Sequence, residues 1–173
     1  MYNTLLCIVA LTELFPLSGS VSYTKELGKT YTDRLAVCTA VAHQAEELNV
    51  SPSLAVSVAL QESRMRDDIK GKRGELGPMQ VMPRYACPKG ERNCEVCDNE
   101  TGVCNWVRAG ILALKKWIAL YPKTYLCHYN AGWVCNTRSR RYARSIMKRR
   151  ARLSVQVDNL AMDFAQYENT LLP

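Results

Sequence analysis

Nowhere among its 173 residues does the chain hold a run of ~20 apolar side chains, the length a membrane-crossing helix needs, so no stable membrane span is expected. No segment alternates apolar and polar residues over the length of a strand, and no repeat or low-complexity linker divides the chain. Sheet-built and multi-unit architectures are thereby disfavoured. Histidine is scarce: His43 and His128 are the only two, far apart and poorly supported by nearby thiols, so no metal site is built from them. No metal and no cofactor is expected.

What remains is a mainly α chain, long enough for one domain with a real core and too short for two comfortable ones. Thr32 or Asp33 reads as the cap of a first helix, with Leu35, Cys38, Val41 or Ala42, Ala45 and Leu48 recurring at helical spacing up to Asn49. Ser51 followed by Pro52 starts a second. Residues 64 to 77 read as a loop, Met79 to Met82 as a short helical turn ended by Pro83, and Asn105 as the cap of a long helix stopped by Pro122. A short helix leads into His128, closed by Gly132. Residues 139 to 153 and 155 to 170 read as two further helices joined near Ser154.

The first 22 residues carry an apolar stretch from Leu5 to Leu11, interrupted by Glu13 and ending in Ser20-Val21-Ser22. This is read as a secretory signal peptide, which leaves residues 23 to 173 as the functional domain and places it in the periplasm or outside the cell. The alternative is a buried N-terminal helix. Cysteine usage agrees with export. Cys87, Cys94, Cys97 and Cys104 crowd one segment with spacing C-x6-C-x2-C-x6-C, read as two disulfides of undetermined connectivity, with a four-thiolate zinc site as the alternative. Cys127 and Cys135 are placed to form a third bridge, and Cys38 is left as a buried thiol.

The formal net charge is +7, and it is concentrated. Arg138, Arg140, Arg141, Arg144, Lys148, Arg149, Arg150 and Arg152 fall in a stretch without an acidic residue, and removing them turns the balance to −1. Such a block can hold a phosphate backbone, an anionic wall or simply water. Without interleaved stacking aromatics beyond Tyr142, wall association is preferred and a nucleic-acid partner is not expected. Arg149, Arg150 and Arg152 are read as a tether lying away from the chemistry.

The sharpest feature is Glu62, the carboxylate that ends the otherwise apolar run Ser51 to Ser63. Ala55, Val58 and Ala59 share its helical face. A carboxyl held against that face loses hydration and its pKa rises, as a general acid at neutral pH requires. The plain alternative is a helix-terminal Glu turned into solvent. Downstream lie Gly74-Glu75-Leu76-Gly77-Pro78-Met79-Gln80-Val81-Met82-Pro83, then Asn105-Trp106-Val107-Arg108-Ala109-Gly110-Ile111, then His128-Tyr129-Asn130-Ala131-Gly132.

Together with Glu62-Ser63, these four pieces resemble in order and spacing the lytic transglycosylase domain of the soluble lytic transglycosylase and goose-type lysozyme superfamily, over roughly residues 35 to 145. The resemblance implies a lysozyme-like domain with a Cys-rich loop insertion. It implies peptidoglycan glycan strands as substrate, cleavage between N-acetylmuramic acid and N-acetylglucosamine, and Glu62 as the single catalytic residue. Ser63, Met79, Gln80, Tyr129, Asn130 and Tyr142 are the substrate-binding positions it suggests. Four have a structural alternative: a helix-end hydroxyl for Ser63, core for Met79, a cap for Gln80 and Asn130. Pro78 departs from the family's usual Leu. A hydrolytic muramidase of the same fold and an inactive wall-binding protein are the other readings. A secretion or conjugation apparatus, a phage or general wall turnover would each suit a domain of this kind.

Overall fold

The computed structural model describes residues 2–15, 25–83, 96 and 105–171, with backbone alone for 25–29 and 164–171. Among these residues the fold is helical: α1 (Tyr2–Thr12), α2 (Lys25–Glu47), α3 (Pro52–Glu62), α4 (Trp106–Leu120), α5 (Tyr125–Ala131) and α6 (Thr137–Leu171). The only extended pairing described is two isolated antiparallel bridges, Lys70 with Leu76 and Leu76 with Val81.

α3 is the centre. Every residue from Ser53 to Leu60 is buried, so this helix is apolar on all sides and must be surrounded. α1, α2 and α6 do so. α2 contributes Cys38, Val41, Ala42 and Ala45, α6 contributes Ile146, Leu153 and Val157, and α1 contributes Leu5, Leu6, Cys7, Val9, Ala10 and Leu11. Pro52 sits at the first helical position as expected, its missing N–H being one that no helix uses there.

α1 is therefore built into the core, and Cys7 is bridged to Cys38. The bridge corrects the reading of Cys38 as a leftover thiol, which followed from assigning Cys7 to a leader. Ser20-Val21-Ser22 lies outside the described residues, as do Cys87, Cys94, Cys97 and Cys104. Cys127 and Cys135 are bridged, as expected.

Three boundaries differ from expectation. α2 begins at Lys25, so Thr32 and Asp33 are exposed interior positions rather than caps. α6 runs unbroken through Ser154, since no Pro or Gly stands between Thr137 and Leu171 and the buried stripe continues from Leu153 to Val157. Met79 to Met82 is not helical. Gly77 to Gln80 form a turn closed by Leu76 N–H to Val81 O (2.9 Å) and Val81 N–H to Leu76 O (3.0 Å). Gly77 (φ 72°) and Gln80 (φ 50°) lie in the left-handed region, which stops a right-handed helix from propagating.

Candidate active site

α3 delivers Glu62 at its last position, half-buried where the helix meets α6. The Tyr142 hydroxyl, from α6, donates to its Oε1 across 80 residues of sequence. Burial pushes the Glu62 carboxyl up from 4.5 to about 7, and the Glu75 carboxylate pushes the same way. The Tyr142 hydrogen bond and the Arg73 cation oppose the rise without cancelling it. A carboxyl at a helix C-terminus also faces the negative end of the dipole, which favours the neutral acid further. The group is thus poised to hold and release a proton near neutrality.

Two phenols stand beside it. Burial, followed by the neighbouring Glu62 charge, holds both Tyr129 and Tyr142 well above the ordinary tyrosine range, so each remains a neutral donor. Tyr129, on α5, donates to the Met79 carbonyl at 2.8 Å. This bond fixes α5 against the Gly77–Gln80 turn and brings Tyr129 into the electrostatic reach of Glu62.

The other expected binding residues are placed differently. Ser63 is 1% exposed, its hydroxyl donating to Ala59 O (3.2 Å) and accepting from Arg66 N–H (3.1 Å). It is occupied with the backbone in this structure. Arg64 (φ 57°) and Met65 (φ 61°) follow in the left-handed region, and the Arg64 carbonyl accepts from Arg34 Nη1 at 2.6 Å. The Ser63 bonds therefore secure a sharply reversing chain directly after the acid.

Met79 is fully buried in the core rather than laid on an open surface. It packs on Gly110, where an added Cβ would stand 2.5 Å from the Met79 Cβ. The Gln80 amide donates to Ile69 O (3.1 Å) and Gly77 O (2.9 Å), tying the loop to its own turn. Asn130, by contrast, is half-buried at the end of α5 with its amide unengaged among the described residues. Of the seven positions, Glu62, Tyr129 and Tyr142 converge, Asn130 is unengaged among the described residues, Ser63 and Gln80 bond nearby backbone, and Met79 is buried.

Glu75 is no free second carboxylate. It is bound by Arg73 Nε (2.8 Å) and Arg73 N–H (2.9 Å); burial raises its pKa, but its own backbone N–H and then these Arg73 contacts hold it below the usual carboxylate range. The histidines are accounted for as well. His128 stacks on Tyr121 and lies beside Trp117, with Nδ1 on Gly132 O at 2.8 Å, and His43 sits by Glu47 on the surface. No cluster able to hold a metal occurs among the described residues. No described helix is long and apolar enough to cross a membrane.

Sequence reasoning missed one set of contacts. Arg149, expected to be a free tether, pairs with Glu13 (Nε to Oε2, 3.1 Å) and donates to Gln61 Oε1 (2.9 Å), next to the acid. Arg152 also pairs with Glu13. The signal was present in the sequence as the carboxylate that interrupts an apolar run.

The family model for the transglycosylase SLT domain matches residues 23–151, a span that includes Glu62, Met79, Gln80, Tyr129, Asn130 and Tyr142. No curated protein and no solved structure gives a match. With three quarters of the chain inside the match, and with a half-buried, proton-holding carboxyl at the end of a central helix, the protein belongs to the transglycosylase SLT domain family, which acts on peptidoglycan.

Proposed function

We propose that the protein is a lytic transglycosylase that cleaves the β-1,4 bond between N-acetylmuramic acid and N-acetylglucosamine and closes a 1,6-anhydro ring. The observation that carries this reading is a single carboxyl, raised to about 7, with no unengaged second carboxylate acting on it among the described residues. Ordinary glycosidases divide acid and nucleophile or base between two carboxyls. Here one suffices if the nucleophile belongs to the substrate. Neutral Glu62 protonates the glycosidic oxygen as the C1–O bond breaks. The resulting carboxylate then takes the proton of the 6-hydroxyl of the same muramic acid, whose oxygen bonds to C1. The proton is back on Glu62 at the end and no water is consumed. An attached hydroxyl has a large effective concentration, which lowers the need for a second protein group.

In this reading Tyr142 orients Glu62 and steadies its carboxylate form, Tyr129 walls the cleft, and Asn130 offers its amide to an N-acetyl group. Ser63, Met79 and Gln80 hold the surrounding chain. The exposed Arg138, Arg140, Arg141 and Arg144 supply attraction to an anionic wall. Peptidoglycan lies outside the cytoplasm, so the enzyme acts in the periplasm or beyond it, alone or beside a secretion or conjugation apparatus.

Mass spectrometry of fragments released from purified peptidoglycan tests the reaction. Anhydro-muramic ends are one water lighter than hydrolytic ends, and they are the expected product. Reducing muramic ends alone would make the enzyme a hydrolytic muramidase, and no fragments at all would make it a wall-binding protein.

A further inference from the structure

We propose that Glu13 and Arg149 are positioning residues for Glu62, the carboxylate in the turn after α1 holding the guanidinium that in turn fixes the end of α3 against α6. The inference rests on Glu62 being the acid. Arg149 spans two elements with one planar fork, Nε on Glu13 Oε2 at 3.1 Å and Nη1 on Gln61 Oε1 at 2.9 Å. Only about a fifth of the Arg149 and Glu13 side chains is exposed (21% and 20%), so water competes weakly within that pair, while the bond to Gln61 lies on the exposed side. Arg152 brings a second cation to Glu13 from the next turn of α6.

The register along α6 gives the clamp its purpose. Tyr142 and Arg149 are seven residues apart, two turns on one stripe. Tyr142 holds Glu62 and Arg149 holds Gln61, so α6 grips consecutive residues of the last turn of α3 at two points. The Arg149 charge also reaches Tyr142, lowering its pKa against the larger upward effect of burial. A rotation of α3 that freed Gln61 would move the Glu62 carboxyl off the Tyr142 hydroxyl. Such small misplacements of a catalytic group are costly.

The arrangement is separable from mere docking of α1. Cys7–Cys38 and the buried Leu5, Leu6, Val9, Ala10 and Leu11 already hold that helix. Removing the charge of Glu13 therefore leaves α1 in place and releases only the guanidinium.

The test uses the full chain and the variants Glu13→Gln, Arg149→Lys and Arg149→Met, with Asn159→Ala on the exposed side of α6 as control. kcat and KM are measured on purified peptidoglycan, and the Glu62 carboxyl is followed directly by carbon NMR of labelled glutamate. Groups facing it are Tyr142 of α6, Tyr129 of α5, and Glu75 and Arg73 of the loop. Glu13→Gln and Arg149→Met are expected to lower kcat about tenfold with KM within about twofold, because substrate binding is untouched while the acid is misplaced. As the Tyr142 bond loosens, the Glu62 midpoint should rise by about half a pH unit. Arg149→Lys, keeping the charge but not the fork, should recover part of both, and Asn159→Ala should change neither.

A kcat for Glu13→Gln within about twofold of wild type with an unmoved Glu62 midpoint overturns the proposal. So does a loss of kcat that merely follows the folded fraction, or an active chain recovered from cells whose intact mass lacks residues 1 to 13. If wild type releases no fragments, the functional reading fails instead, and the carboxyl titration still decides whether the clamp acts on Glu62.

Discussion

Two stretches that carry the family's motifs behave differently in this structure. At the junction of α3 and α6, polar groups from distant parts of the chain meet: Glu62 with Tyr142, and Gln61 with Arg149 and Glu13. In the turn between Leu76 and Val81 the same kind of motif residue is turned inward, Met79 into the core and the Gln80 amide onto Ile69 and Gly77 carbonyls. The first region accepts the cost of burying an ionisable group, visible as a carboxyl raised to about 7. The second leaves little polar capacity unspent. A motif is thus a mixture of residues that do chemistry and residues that hold the surface on which it is done, and only contacts distinguish them.

The sharpest break between the two would come from Glu62→Gln. Loss of the acid proton should reduce fragment release by about 10²–10⁴-fold, the usual worth of a general acid. The fold should persist and even gain. Because the folded-state pKa lies above the ordinary 4.5, Glu62 contributes stability that is full below about 4.5 and lost as pH rises through about 7. The variant removes that dependence, so its melting temperature should exceed that of wild type above pH 7 and the difference should vanish in acid. A variant less stable than wild type at high pH would mean that the carboxylate has partners in the fold beyond Tyr142.

Met79→Ala probes the framing region and should be nearly as costly, but in stability. The side chain is fully buried against Gly110, and emptying such a site costs about 2–5 kcal/mol. Activity should fall only as far as the folded fraction does, measured by denaturant titration beside the rate. A strong loss of turnover in fully folded protein would return Met79 to the glycan-binding surface.

Tyr142→Phe sharpens the comparison from the chemical side. In the proposed mechanism the neutral acid is the active form, so turnover should fall as pH rises through the Glu62 pKa. The Tyr142 hydrogen bond lowers that pKa, so its removal should shift the descending limb of the pH–rate profile upward from about 7. Below the limb, turnover should fall about tenfold for want of orientation. An unshifted limb would show that the hydroxyl does not bond the carboxylate in solution.

Much of this was legible beforehand, and the exceptions share a cause. The Asn105 cap accepts from Arg108 N–H, Pro52 opens α3, α4 ends at Leu120 just before Pro122, and Gly132 closes α5 with φ 69°, all local signals that local chemistry decides. Glu62 was legible because a charge at the end of an apolar helix is costly and conspicuous. The bridge from Cys7 to Cys38 and the pairing of Glu13 with Arg149 were not, since they join positions 31 and 136 residues apart that nothing local connects. The side-chain directions of Ser63 and Gln80 depend on left-handed backbone at Arg64, Met65 and Gln80, which non-glycine residues seldom announce.

The smallest effect is expected at Ser63, and it tests the division most finely because Ser63 adjoins the acid in sequence while belonging to the frame by its contacts. Its hydroxyl donates to Ala59 O and accepts from Arg66 N–H in a buried setting. Ser63→Ala removes one donor and one acceptor, leaving the Arg66 amide to find water in the reversing chain. The loss should be about 1 kcal/mol by thermal or denaturant unfolding. Both kcat and KM should stay within about twofold of wild type, since nothing that touches Glu62 is altered. A severalfold rise in KM at unchanged stability would instead put the hydroxyl on the substrate. The boundary between chemistry and frame would then lie beyond Ser63, inside the loop that follows the acid.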